Sequence, residues 1–292
     1  MDRLIHSLLE RLPIITDGAW GTQLQLNGLR SGECPDAWNL TEPSVVEGIA
    51  RSYVAAGSRI ILTNTFGSNR IALARHGLEA RAAEINRTGA ILSVGAAGQE
   101  AYVFGSIGPC GKLLLTEEVG EEELRSAFTE QAAALRAGGV QGIVIETMSD
   151  LVEARIAVEA ARSTGLPVVA CMVFDSGPDN DRTMMGTTPE EAAQELASAG
   201  AEVIGANCGA GIAGYIPVCR KLHAATPLPI WIKPNAGLPV LLDGKITYST
   251  TPEEFARHGQ TLRDAGASFI GGCCGTGPEF IRALVRILGP DP

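Results

Sequence analysis

Several things are scarce in this chain of 292 residues, and each scarcity excludes something. No apolar run reaches the length of a membrane span; the longest, such as Leu166 to Phe174, are about half of the roughly 20 residues required. The opening MDRLIHSLLE has neither the unbroken apolar stretch nor the small-residue cleavage site of a secretory signal, so a soluble, cytoplasmic protein is expected. Basic residues are outnumbered, 23 against 33 acidic, and the net charge of −10 is spread along the chain, which argues against a nucleic-acid partner. The seven cysteines are odd in number and irregular in spacing, in a chain too large to need staples, so they read as reduced thiols. There are four histidines, His6, His76, His223 and His258, and none falls where a strand is expected to end. Histidine-based chemistry is thereby set aside. What is plentiful is apolar: 45% hydrophobic against 19% charged residues supports one large core rather than disorder.

A weak repeat organises the chain: a helix ends in Ala-Gly or Gly-Gly and a buried strand follows, as in AAGSRIILTNTF, AGGVQGIVIET, SAGAEVIGANC and DAGASFIGGCC. Glycine supplies the left-handed turn that stops a helix, and a continuous apolar run suits a parallel strand covered on both faces. Extending this reading gives eight strands, near 13–17, 58–65, 101–107, 140–147, 167–174, 201–208, 228–235 and 267–273, separated by amphipathic helices. One helical face collects Leu124, Ala127, Phe128, Gln131 and Leu135; another collects Leu78, Ala82, Ile85, Gly89 and Leu92. Thr188, Thr251 and Thr276, each with glutamate three residues on, predict capping boxes. Stretches 18–43, 175–188 and 235–251 read as long loops. The expected fold is α/β, a single (β/α)8 TIM barrel spanning residues 1–292 as one domain.

In such a barrel the reacting groups stand at the C-terminal ends of the strands. There the sequence places Asp17, Asn64, Glu146, Cys208, Lys233, Asn235, Cys273 and Cys274. Three thiols at one mouth suit Zn²⁺, a soft-ligand ion, and would leave one tetrahedral position open; buried cysteines or a redox pair are the alternatives. Asp17 and Glu146 suggest either an acid/base pair or a clamp for a cationic amine, and the clamp is favoured beside a metal. The glycines of DGAWGT, with Gly18 and Ala19, offer backbone N–H groups to a carboxylate. Amine to carboxylates and carboxylate to amides describes an amino-acid substrate. Lys233 admits another class, a Schiff-base aldolase, and a cysteine-based zinc or redox sensor is a third.

Taken in order, DGAWGTQLQ, TNTFGSNR, GSIGPCGKLL, VIETMSD, GANCG, PNAGLP and GGCCGTGPEFI resemble the homocysteine methyltransferase family over nearly the whole chain. That family includes the homocysteine domain of cobalamin-dependent methionine synthase, the betaine-homocysteine methyltransferases and the S-methylmethionine enzymes. The resemblance implies zinc on Cys208, Cys273 and Cys274, with Asn235 as a fourth ligand displaced by substrate. It implies Asp17 and Glu146 on the homocysteine amine, the amides of Gly18 and Ala19 on its carboxylate, and Asn64 in the same pocket. The donor is less specified. GPCGKLL and PNAGLP resemble the methionine-synthase branch, whose methylcobalamin would come on a separate corrinoid protein. A sulfonium donor, S-methylmethionine or S-adenosylmethionine, is the next expectation. Betaine is the last: Trp38 stands where betaine enzymes have a donor-side ring, but Gly67 and Thr147 stand where they have tyrosine.

Overall fold

The structure, a computed structural model, describes residues 1–209, 211–242 and 245–289. Eight parallel strands form the barrel: β1 (Ile14–Ile15), β2 (Ile60–Leu62), β3 (Tyr102–Ile107), β4 (Gly142–Met148), β5 (Val168–Met172), β6 (Val203–Cys208), β7 (Ile230–Pro234) and, after a hairpin of β8 (Pro239–Leu242) and β9 (Lys245–Tyr248), β10 (Ala267–Ile270). Their order is β1-β10-β7-β6-β5-β4-β3-β2. A parallel bridge between Thr16 and Ile60 and the bond from Arg59 N to Ile15 O, 2.7 Å, bring β1 against β2. The architecture is the (β/α)8 barrel expected. Among the described residues no helix is long and apolar enough to cross a membrane.

Side chains alternate across each strand, and the two faces of the sheet form two cores. Ile61, Val103, Ile143, Ile145, Ala170, Ile204 and Ile232 pack outward under the helices. Leu62, Phe104, Val144, Val169, Val203, Trp231 and Phe269 fill the barrel. Trp231 is stacked on Phe104 at 6.3 Å and tilted on Phe269 at 5.2 Å. Gly205 pairs with Trp231 across the β6–β7 ladder and must be glycine, since an added Cβ would stand 2.2 Å from the Trp231 carbonyl oxygen. The N-terminal helix Arg3–Leu8 brings Ile5 and Leu8 into the same cluster and closes the end of the barrel away from the strand C-termini.

Four local expectations change. Strands β1, β2 and β10 are shorter than the apolar runs that encode them, because the chain leaves the regular ladder to present Asp17, Asn64 and Cys273. The stretch 18–43 contains a helix at Trp20–Leu26, whose N-cap, Ala19, has no capping side chain and so carries no start signal. It also contains a 3-10 turn, Pro35–Ala37, and a short helix, Trp38–Thr41. The stretch 235–251 contains the β8–β9 hairpin. Of the capping boxes, Thr188 with Glu191 is complete, and Thr251 accepts from Glu254 N. Thr276 instead donates its hydroxyl to the Cys273 carbonyl, 2.6 Å, and the last helix starts at Pro278.

Candidate active site

A cavity of about 550 Å³ opens at the C-terminal ends of the strands, between the turns that follow β1, β2, β3, β4, β6, β7 and β10. Cys208 ends β6, and Cys273 and Cys274 follow β10. Their three sulfurs lie within 4.8 Å of one another, Cys208 and Cys274 being 4.0 Å apart. Sulfurs bound tetrahedrally at about 2.3 Å from a zinc ion would be about 3.8 Å apart, so this donor set fits such an ion with little movement. Backbone geometry holds it: Cys208 has φ 69°, in the left-handed region that a non-glycine residue rarely occupies. Without a cation the thiols are held neutral. For Cys208 a hydrogen bond with Cys273 lowers the pKa, but the one with Cys274 and burial outweigh it and push it up to about 12.

Asn235 bridges the two cysteine segments. Its Nδ2 donates to Gly209 O at 2.7 Å and its Oδ1 accepts from Cys274 N at 2.9 Å, so the side chain expected as a fourth ligand here ties the two ligand loops together.

Glu146 lines the cavity and is 8% exposed. Ser106 donates its hydroxyl to Oε1, and Asn207 Nδ2 lies 3.3 Å from Oε2. Burial raises the pKa of this carboxyl above the usual range, against the opposing pull of Lys233 and Ser106. Asp17 has another occupation. It is fully buried, outside the cavity lining, and its Oδ1 is paired with Lys233 Nζ. Its Oδ2 accepts from Leu62 N at 2.7 Å and Trp20 Nε1 at 2.9 Å. Lys233 lines the cavity; burial lowers its pKa, but the charges of Asp17 and Glu146 prevail and raise it. A Schiff-base lysine must be neutral to attack, so this environment opposes the aldolase alternative.

Other expected residues fall to either side. Ala19 N is already donated to Thr276 O, 2.9 Å, so it is not free for a substrate carboxylate. Gly18 lines the cavity and packs so closely on Thr276 that a Cβ would stand 2.5 Å from its carbonyl oxygen. Asn64 lines the cavity too, but its Nδ2 is spent on Pro35 O at 2.9 Å and Asn39 Oδ1 at 3.1 Å, pinning the 35–39 turn to the end of β2. Trp38 is not among the residues lining the thiol cavity; it borders an adjoining surface cavity with Arg30, Glu42 and His76, and the two cavities share Cys34 and His76. Among the described residues the rings lining the thiol cavity are those of Trp20, Phe66, the latter 43% exposed, and His76, which the sequence did not place there.

Two residues of the site escape a reading based on charged or thiol groups. Ser106 and Asn207 both hold Glu146, and both were findable: each lies two positions after an inward-facing residue, Phe104 and Gly205, as Glu146 follows Val144 and Lys233 follows Trp231.

The profile of the family described as homocysteine S-methyltransferase matches residues 14–288. The chain is 32% identical to the methionine synthase of Mycobacterium tuberculosis over 99% of its own length, and 31% identical to that of Mycobacterium leprae over 96%. It spans about a quarter of these relatives, 26% and 24% of their lengths. Among solved structures, the homocysteine methyltransferase MmuM from Escherichia coli in its metallated form superposes with a TM-score of 0.80 at 22% identity, covering 97% of this chain and 99% of that one. Its oxidized form gives 0.81 over 98% and 99%. A barrel with three converging cysteine sulfurs, matched by that profile from the first strand to the last helix, belongs to the homocysteine S-methyltransferase family.

Proposed function

We propose that this protein transfers a methyl group to the thiol of L-homocysteine, forming methionine, with Zn²⁺ held by Cys208, Cys273 and Cys274. The observation that carries the reading is the meeting of three sulfurs within 4.8 Å beside the carboxylate of Glu146 in one cavity. A free thiol has a pKa of about 8.5 and is only a few per cent thiolate at neutral pH; zinc, when bound, would supply the positive charge that keeps the acceptor sulfur ionised. The protein's own groups supply position. Glu146 takes the substrate ammonium, and Ser106 and Asn207 fix the carboxylate for it. Asp17, facing Lys233, acts on the amine only from behind, by charge. With Ala19 N occupied by Thr276 O, Gly18 N is left as the expected amide for the substrate carboxylate, on a residue that lines the cavity.

For the donor, kinship with methionine synthases of about four times this length favours a methylated corrinoid carried on a separate protein or module. The position of Trp38 outside the cavity removes the feature that favoured betaine. The test is methionine formation from homocysteine by the zinc-loaded protein, with methylcobalamin, S-methylmethionine, S-adenosylmethionine or betaine offered in turn. Turnover with the corrinoid alone supports the reading. Turnover with a sulfonium alone reassigns the donor, and none with any of the four overturns the reaction.

Glu146→Gln separates binding from stability. Losing one charge-assisted hydrogen bond, about 1.5–3 kcal/mol, is expected to raise the homocysteine KM by about 10- to 150-fold. Stability should move the other way. Because the folded pKa of Glu146 is raised, the native state holds its proton more tightly than the unfolded chain; wild-type stability is therefore lost as pH rises from the ordinary carboxyl value through the raised one. The glutamine variant lacks that loss, and urea midpoints at several pH values between 4 and 8 would show a flatter profile. A steeper one would contradict the assignment.

A further inference from the structure

Asn207 has more bonding to do than one amide can complete. Its Oδ1 accepts from Thr147 N at 2.7 Å, and its Nδ2 stands 2.7 Å from Thr147 Oγ1, which engages one of the two amide hydrogens. The other hydrogen faces two acceptors, Glu146 Oε2 at 3.3 Å and Cys273 Sγ at 4.0 Å. The residue is 1% exposed, so no bulk water relieves the competition. We propose that Asn207 is a positioning residue that couples occupation of Glu146 by the substrate amine to the electron density on the Cys273 sulfur. The inference rests on the function proposed above. An ammonium group on Glu146 Oε2 displaces the weaker amide donor, and the freed N–H turns to the sulfur. N–H···S donation draws charge from a thiolate, so the acceptor's arrival adjusts the sulfur ligand beside which its own thiol must react. Groups that hydrogen-bond to metal ligands are worth about 10- to 100-fold in metal affinity or activity.

A structural role must be separated from this one. Thr147 has φ 61°, and Asn207 holds both its N–H and its hydroxyl. Removing Asn207 alone would free a strained turn as well as the sulfur. Glycine adopts that φ without strain, so Thr147→Gly with Asn207→Ala removes the donor from a relaxed backbone. The experiment replaces zinc by Co²⁺ and records the sulfur-to-cobalt charge-transfer band in wild type, Thr147→Gly and the double variant. L-2-Aminobutanoate, which has the amine and carboxylate of homocysteine but no sulfur, serves as probe.

The band is expected at longer wavelength in the double variant, with the Co²⁺ dissociation constant raised about 10- to 100-fold. Aminobutanoate should shift the band in wild type and Thr147→Gly and leave it in place in the double variant. Identical bands and identical probe responses in all three proteins, or a double variant that departs from wild type no further than Thr147→Gly does, would overturn the coupling. A wild type that binds the probe but shows no sulfur-to-cobalt band would overturn the metal site beneath it.

Discussion

Cys273→Ala protein, purified under reducing conditions, is expected to contain no zinc and to make methionine about 300- to 3,000-fold more slowly. Two sulfurs remain after the substitution, too few to close three sides of a tetrahedron. Without the metal, only the few per cent of homocysteine that is thiolate at neutral pH can react, a penalty of roughly 2 kcal/mol or about 30-fold. Losing the fixed position of that sulfur adds about another 10- to 100-fold. Cys219→Ala is the contrast, since Cys219 lies on the outer helix Tyr215–Ala225, fully buried, with its sulfur 3.6 Å from Ala265 O. It should cost about 1 kcal/mol of stability and leave the metal content unchanged. Elemental analysis with initial rates decides the matter: zinc retained at one per chain in Cys273→Ala would end the three-sulfur assignment.

Lys233→Met is expected to be the most destabilising single change at the mouth, by about 3–5 kcal/mol, because it leaves a buried carboxylate without its counter-charge. Asp17 is 0% exposed and Lys233 3%, so water cannot replace the lost partner. The carboxylate would keep only Leu62 N and the Trp20 indole. Asp17→Asn combined with Lys233→Met should recover most of the loss, since an amide and a thioether need no neutralisation. Urea unfolding of the two single variants and the double variant tests this as a cycle. Additive losses would show that the pair is not coupled and that Asp17 is stabilised by something else.

Much of this site is legible in the order of residues, and the reason is the period of two. Inside the barrel three strands carry an apolar side chain at the aromatic layer and a polar one two residues later: Phe104 then Ser106, Val144 then Glu146, Trp231 then Lys233. Charged members of that second layer stand out in a sequence; Ser106 and Asn207 do not, because serine and asparagine are common at strand ends for unrelated reasons. The occupation of Asp17 was hidden for a different cause. Its partner Lys233 lies 216 positions away, and only the insertion of β10 between β1 and β7 brings β7 within reach of the turn after β1. Trp38 misleads in the reverse direction: its motif promised a ring at the thiol cavity, but the turn pinned by Asn64 places it on an adjoining surface cavity. The hairpin after β7 had a signal, the Asp-Gly pair at 243–244 between PVLL and KITY, though residues 243 and 244 themselves lie outside the described structure.

The closed end of the barrel governs traffic. With Trp231 packed between Phe104 and Phe269, and Ile5 and Leu8 in the same cluster, the described residues fill that end of the barrel, and the cavity opens at the other. On the proposed reaction, acceptor and donor must use it in turn. On that proposal homocysteine goes in first, and the donor follows and covers it. Methionine leaves only after the donor has withdrawn. The order of events in a turnover is thus set by a plug of apolar side chains that touches neither reactant.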